Sequence, residues 1–216
     1  MKLKAILLNA ILLIAVGVSG QDWSTDVYKY GEKYPGHIVD ASGKKTEGFI
    51  KYQNRYTMQN EVLFYKDKDN KKSKVKYKTK DLKEYMVADK VYHCITYSGG
   101  LSGSAIKANL LVEEGCIAQY VWYDRAENYA IMQKGASETE EEFMARKYPS
   151  KMIFRNNNKD LVKSVDQFGM KFAKKVSEFV ADNKELAAKV ANKEKGYGML
   201  KILNIFEEYN AACKSE

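Results

Sequence analysis

Histidine and cysteine are scarce in this 216-residue sequence, and their spacing excludes the common metal and thiol motifs. There are two histidines, His37 and His93, and three cysteines, and neither an HExxH nor a CxxC motif occurs. The glycine-rich run at 98–104 has neither the lysine of a phosphate-binding loop nor the spacing of a nucleophile elbow. The acidic run at 67–70 lacks the glycine and distal glutamate of a calcium loop. We therefore expect no cofactor and no bound metal.

Long apolar runs are also lacking, except for one at the start of the chain. A basic start and apolar residues 5–16 are followed by small residues, which is the pattern of an export signal spanning residues 1–20. The run is shorter than the ~20 residues of a membrane-spanning helix, and no stop-transfer charges follow it. A retained membrane helix is the alternative. We expect cleavage near Gly20/Gln21 and a periplasmic or extracellular product, without a cysteine at that point for a lipid anchor.

Residues 28–134 have the pattern of short antiparallel strands. Runs rich in Val, Ile, Tyr and Phe alternate with Gly, Asn, Asp and Lys clusters. Turn residues at 42–44 and 113–115 predict hairpins, 81–84 predicts a short helical turn, and 129–133 predicts a last strand. Seven or eight such strands favour an antiparallel β-sandwich or partly closed barrel.

After Gly135 the period changes to that of helices. Residues 137–140 form a capping-box pattern ahead of a helix that Pro149 stops. Apolar residues from Leu161 to Phe179 recur at three- and four-residue steps, which predicts one long helix. A short helix to Val190 and a last one over 199–213 follow. The fold class is α+β: a β-rich module over 21–135 and a bundle of three to four helices over 136–216, with one joint domain as the alternative.

Positive charge is concentrated in one segment of a chain whose net charge is +8. Residues 66–90 contain ten lysines and five acidic residues. Every second position from 72 to 80 is lysine, which places five ammonium groups on one face of a strand. Such a face either docks an anionic partner or protects an exposed sheet edge from aggregation. The candidate binding residues are Lys72, Lys74, Lys76, Lys78 and Lys80.

Aromatic and thiol side chains each permit more than one interpretation. The sixteen tyrosines either stack against sugar rings or, by default, pack a sheet. Cys94 and Cys116, in strand-like segments of the same half, are the preferred disulfide pair. The alternatives are three buried thiols, or an intermolecular bridge through Cys213.

One catalytic arrangement remains open as an alternative function. His93 could form a hydrolase-like site with an acid and a serine of the glycine-rich run. The candidate nucleophiles are Ser98, Ser102 and Ser104.

Two sets of motifs, one near each end of the mature chain, occur together in this sequence. The first is a hairpin in which Gly36-His37-Ile38-Val39 is followed by Glu47-Gly48-Phe49-Ile50-Lys51-Tyr52. The second joins residues 179–187, with an Asp-x-x-x-Leu helix, to the Tyr209-Asn210 pair. In this order the motifs resemble uncharacterised exported proteins of Bacteroidota. The resemblance implies a bacterial cell-envelope protein and brings no established activity and no catalytic residues.

These observations favour a non-enzymatic envelope protein that binds through its β half. The partner is an unidentified envelope protein or glycan, and peripheral contact with an anionic membrane surface is a further possibility. Export argues against nucleic acid, and no recognition helix or aromatic RNA-binding signature accompanies the lysines. Oligomeric state is beyond the sequence.

Overall fold

The computed structural model describes residues 29–97, 105–124 and 133–213, and of Glu140 and Glu141 only the backbone. The strands are β1 (Lys33–Asp40), β2 (Lys45–Lys51), β3 (Glu61–Tyr65), β4 (Lys74–Lys78), β5 (Leu82–Val87), β6 (Lys90–Tyr97), β7 (Ala105–Glu113), β8 (Ile117–Tyr123), β9 (Ser150–Asn156) and β10 (Leu161–Ser164). The helices are α1 (Arg55–Met58), α2 (Glu140–Lys147), α3 (Val165–Gly169), α4 (Phe172–Phe179), α5 (Lys184–Ala191) and α6 (Ile202–Cys213).

The described strands form one antiparallel sheet of ten strands, in the order β10-β9-β8-β7-β6-β5-β1-β2-β3-β4. The predicted α+β class is confirmed. The sheet is open, since β4 and β10 stand at its two ends, and a sandwich of two sheets is not what these strands form. The strand predicted over 129–133 lies outside the described residues.

Turn chemistry sets the first hairpin as predicted. Gly43 adopts a left-handed φ of 92° between β1 and β2. The Asp40 carboxylate accepts hydrogen bonds from the backbone N–H of Ser42 at 2.9 Å and of Lys44 at 3.0 Å. An Asx-type turn of this kind replaces backbone pairing at the loop.

The second half of the chain contains more strand than the sequence predicts. The expected long helix over 161–179 is wrong, because its first four residues are β10, which pairs with β9 from Leu161↔Asn156 to Ser164↔Ile153. Helix α3 then ends at Gly169, and Lys171, at a φ of 61°, separates it from α4. Both β9 and β10 follow the predicted module boundary at 135/136, so the sheet continues across it.

The other helices agree more closely with the sequence. The capping box of α2 is formed by Thr139 and Glu142, two residues later than the predicted 137–140 pattern. The short helix predicted to end at Val190 is α5, and the Asn183 side chain caps it by accepting from the Leu186 N–H. A 3₁₀ turn over Met199–Lys201 precedes α6. A second 3₁₀ turn, Thr79–Asp81, takes the place of the helical turn predicted at 81–84.

The residues after β2 fold back across the sheet and attach to distant strands. The Gln59 side chain is buried, donates to the Tyr123 carbonyl at 2.6 Å and accepts from the Tyr123 N–H at 2.5 Å. The Gln59 carbonyl accepts from the Ala108 N–H at 3.1 Å. Beyond β4, the Thr79 hydroxyl donates to the Ile106 carbonyl at 3.1 Å. These bonds join the segment after α1 and the turn after β4 to β7 and β8, and the core on this side of the sheet includes Ile38, Ile50, Met58, Phe64, Tyr85, Leu110 and Tyr123.

A second core lies between the sheet and the helices. Phe154 of β9 packs against Phe206 of α6, with ring centroids 4.7 Å apart, and Phe168 and Phe179 complete the aromatic cluster. Each buried phenylalanine of this kind contributes about 3–5 kcal/mol relative to alanine. Among the helices of the described residues, none is long and apolar enough to cross a membrane.

Candidate functional site

The predicted lysine face lies at an edge of the sheet. Lys74, Lys76 and Lys78 are on one face of β4 and exposed, and β4 pairs only with β3 in the described sheet. Lys72 and Lys80 are not on that strand, because they fall in the 3₁₀ turns that precede and follow it. The strand is therefore shorter than the alternating sequence predicts, and three lysines rather than five share its face.

The charge of this face is largely uncompensated. Lys76 forms an ion pair with Glu61 of β3 at 2.5 Å. In the part of the chain that the structure describes, Lys74 and Lys78 have no carboxylate within 4.0 Å. The Lys33 ammonium lies 4.0 Å from the ring centroid of Tyr65, which stands opposite Lys74. Lys33 of β1 thus reaches across β2 to a cation–π contact on β3, on the same face of the sheet as the lysines of β4.

The tyrosines mainly pack the sheet, as the default interpretation predicts. Tyr30 and Tyr56 are exposed, at 75% and 37%. Tyr85 and Tyr92 stack at 4.6 Å between ring centroids inside the core. The described tyrosines of the β half that are buried are Tyr52, Tyr65, Tyr85, Tyr92, Tyr97, Tyr120 and Tyr123. An exposed aromatic platform for sugars is not what this sheet presents in its described part.

A titratable cluster that sequence reasoning missed lies on the central strands, on the face opposite the Tyr85 and Tyr92 core and on the same side of the sheet as the lysines of β4. The Glu84 carboxylate of β5 lies between two histidines, 2.8 Å from His37 Nε2 and 3.5 Å from His93 Nε2. His93 Nδ1 lies 2.9 Å from the Tyr120 hydroxyl. Burial lowers the pKa of His93 below its ordinary value, and the Glu84 charge opposes this only in part. The cluster joins four strands, β1, β5, β6 and β8, that are not all neighbours in sequence.

This geometry does not resemble a hydrolase site. Both ring nitrogens of His93 face protein groups, Tyr120 and Glu84, whereas a catalytic histidine keeps one nitrogen for the nucleophile. Ser98, Ser102 and Ser104 lie outside the described residues, so the alternative with a loop serine stays untested. Among the residues that are described, no group of three His, Cys, Asp or Glu side chains is arranged to hold a metal ion.

The predicted disulfide between Cys94 and Cys116 is wrong in the structure. Cys116, immediately before β8, is bonded to Cys213 at the end of α6, with the two Cα atoms 6.5 Å apart. Cys94 is a free thiol within β6. Burial raises the pKa of Cys94 to about 12, which leaves it unreactive as a nucleophile. The disulfide fastens the last helix to the sheet.

The motif residues of the C-terminal resemblance form a structural network beside this disulfide. The Asn210 side chain accepts from the Ile117 N–H at 2.7 Å and donates to the Ile117 carbonyl at 2.9 Å. The Tyr209 hydroxyl donates to Asp182 and accepts from Asn158 at 3.1 Å. Burial and this hydrogen bond to Asp182 raise the pKa of Tyr209 to about 12. The Tyr-Asn pair therefore docks α6 on β8 and on the turn before α5.

Comparison of the chain with protein-family models, curated proteins and solved structures finds no match. Assignment of function therefore depends on the geometry of the chain itself.

Proposed function

We propose that this chain is a non-enzymatic exported protein of the bacterial cell envelope that binds an acidic, extended segment of a partner protein along β4. The observation that carries the proposal is the combination of an edge strand with Lys74, Lys76 and Lys78 on one of its faces. An edge strand offers unpaired backbone groups to a further strand. Lysines at alternate positions select a segment with carboxylates at the matching positions.

The opposing interpretation is that the lysines only keep other chains away from the edge. A lysine that is already paired with a carboxylate repels another chain less than an unpaired lysine does. Lys74 and Lys78 are not paired with a carboxylate of the described residues, so they fit both the protective and the docking interpretation. The two interpretations differ in how the edge interacts with an acidic strand. A protective edge repels or ignores it, whereas a docking edge binds it with a register set by the three lysines.

Other anionic partners are outcomes of the same test. A carboxylated glycan or a lipid head group needs the ammonium groups but not the backbone edge. A peptide strand needs both. The distinguishing feature is therefore the hydrogen-bonding capacity of the ligand's own backbone.

In this proposal the strands form a partly closed barrel that is followed by a helical bundle, and β4 is an edge strand of that barrel. The hydrogen bond that Gln59 donates to Tyr123 and the one that its carbonyl accepts from Ala108 draw the β4 end of the sheet toward β7 and β8. The contact of Thr79 with Ile106 fixes the end of β4. On this view β4 remains the open seam of the barrel, and α3–α6 cover the other end of the sheet.

The test uses a fluorescent peptide of alternating Glu and Thr residues and the chain as secreted by an exporting host. Fluorescence anisotropy reports binding at low salt. We expect the combined variant Lys74→Glu and Lys78→Glu to bind at least tenfold more weakly, while Lys184→Glu on α5 changes little. A copy of the peptide N-methylated at alternate residues should also bind at least tenfold more weakly, because it cannot extend the ladder.

Two results would contradict the proposal. Equal binding of the methylated peptide would show that charge alone is recognised, as for a glycan or membrane surface. Unchanged binding by the β4 variant would show that the lysines of β4 are not the docking residues.

A further inference from the structure

A second surface, at the helical end of the molecule, combines exposed apolar side chains with lysines. Leu200 is 95% exposed, Met170 79% and Met199 52%. Single exposed apolar residues are ordinary, but neighbouring ones mark contact surfaces. Met170 precedes α4, and Met199 and Leu200 form the turn before α6.

A groove of about 500 Å³ brings the two segments together. The residues lining it come from the start of α4 and from the loop after α5. Its lining combines Phe172, Ala173, Tyr197 and Gly198 with three lysines, Lys171, Lys174 and Lys193. Met170 therefore lies next to one side of the groove along the chain, and Met199 and Leu200 lie next to the other.

The charges around the groove are mostly of one sign. Lys195 and Lys201 are exposed in the same loop and turn as Lys193. The carboxylates nearby are Glu194, Glu178, whose oxygen is 3.9 Å from Lys174, and Glu208, which accepts a hydrogen bond from the Tyr197 hydroxyl at 2.9 Å and pairs with Lys189. An apolar patch that is surrounded by lysines is complementary to a partner with an anionic outer layer and an apolar interior.

Two of these lysines occupy backbone positions that do not favour them. Lys171 has a φ of 61° and Lys193 a φ of 56°. Glycine adopts this left-handed conformation without the steric cost that a side chain incurs. The fold alone would therefore accept glycine at both positions, which gives a means of removing the charge without weakening the fold.

We propose that this surface, formed by Met170, Met199 and Leu200 with the lysine-lined groove, docks the protein on an anionic phospholipid membrane. The three apolar side chains enter the boundary between head groups and acyl chains. The lysines then contact the phosphate groups, and long lysine stems reach back along the apolar surface to do so. The surface is separate from β4 and does not depend on the proposed binding of an acidic segment there.

The test measures sedimentation of the secreted chain with vesicles of equimolar phosphatidylcholine and phosphatidylglycerol. We expect binding that falls as salt rises and that is at least tenfold weaker on pure phosphatidylcholine. The pair Lys171→Gly and Lys193→Gly should weaken binding at least tenfold, since each lysine near an anionic surface contributes about fivefold. Its thermal stability should be at least that of the unmodified chain.

A second variant tests the apolar part. Combined Met170→Ser, Met199→Ser and Leu200→Ser should lose at least tenfold in binding, whereas Ile106→Ser with Leu161→Ser, which are 39% and 37% exposed elsewhere, should not. A fluorophore on L200C should shift to shorter wavelength on vesicles, and one on K76C should not. Cys94 is half-buried and its pKa is raised to about 12, so its thiol competes poorly for the label.

Three results would overturn the proposal: no binding of the unmodified chain, unchanged binding by the glycine and serine variants, or loss only with Lys74→Glu and Lys78→Glu. The last would transfer membrane contact to β4. Failure here leaves the peptide assay on β4 unaffected, so the two proposals are judged separately.

Discussion

Gly36 and Gly48 face each other across β1 and β2, and neither position has room for a side chain. A Cβ atom on Gly36 would lie 1.9 Å from the Met86 carbonyl oxygen. One on Gly48 would lie 2.4 Å from the Phe64 ring and 2.5 Å from the Tyr65 carbonyl oxygen. The repeated glycine of the N-terminal resemblance motif is therefore explained by close packing of strands rather than by a binding role.

The substitution Gly36→Ala tests this packing. Because the nearest atoms belong to the β5 backbone, the strand pair must shift, and we expect the free energy of unfolding to fall by about 1–3 kcal/mol. Urea denaturation measures it. Gly169→Ala is the control, since nothing lies within 4 Å of the added atom. Equal stability of the two variants would contradict the account.

At His93 we expect an effect of pH on the free energy of unfolding. Because burial lowers the pKa of His93 from 6.5, the unfolded chain binds more protons than the folded chain just below that value. The free energy of unfolding should therefore fall as pH drops through 6.5. The charges that act on the ring are Glu84, Glu114 and Arg155.

Urea denaturation between about pH 7.5 and pH 5.5 measures this dependence, in a range where exposed carboxylates stay ionised. His93→Gln keeps a hydrogen-bonding side chain but does not titrate, so its stability should depend less on pH. An identical pH dependence in the variant and the unmodified chain would show that His93 is not the responsible group.

Single elements differ in how far the sequence predicts them. The β1–β2 hairpin is predictable, because its turn and alternation are local. The segment 161–179 is not, because the three- and four-residue steps that predict a helix begin at Leu161, which is 37% exposed and pairs with Asn156. A strand of four residues is too short for its alternation to be distinguished from the helical period of the residues that follow. The strand is recognised only through its pairing with β9.

The attachment of α6 shows a second limit. Cys116 and Cys213 are 97 residues apart in sequence, and the sheet and helices between them decide that they meet. The Glu84 contacts with His37 and His93 escape sequence reasoning for a related reason. β1 pairs with β5 across three intervening strands, and no local pattern predicts that pairing.

The disulfide should stabilise the docking of α6 considerably. In the chain-entropy model a closed loop of about 100 residues is worth roughly 4–5 kcal/mol, so Cys213→Ser should lower the free energy of unfolding by up to that amount. Without reductant, thiol titration should find no reactive group in the folded chain and one, Cys94, after denaturation. Three thiols after denaturation would contradict the Cys116–Cys213 bond.

At the scale of the whole molecule, the two edge strands of the sheet, β10 and β4, differ in their surroundings. At one end β10 leads into α3, and its Val162 packs against the cluster of β6–β9 side chains. At the other end β4 is exposed and carries lysines that no carboxylate neutralises except at Lys76 within the described residues. The order of strands thus leaves one basic edge open, and the central claim is that an acidic strand from another protein binds there.

The most direct measurement of that claim is photocrosslinking from β4 in the exporting cell. A benzophenone amino acid replaces Val75, which is 45% exposed on that strand, and the crosslinked peptide is identified by mass spectrometry. We predict one discrete adduct to an acidic segment of an envelope protein, lost when Lys74→Glu and Lys78→Glu are added to the same chain. The same adduct at the same yield after charge reversal, or crosslinks only to lipid or glycan, would contradict the account.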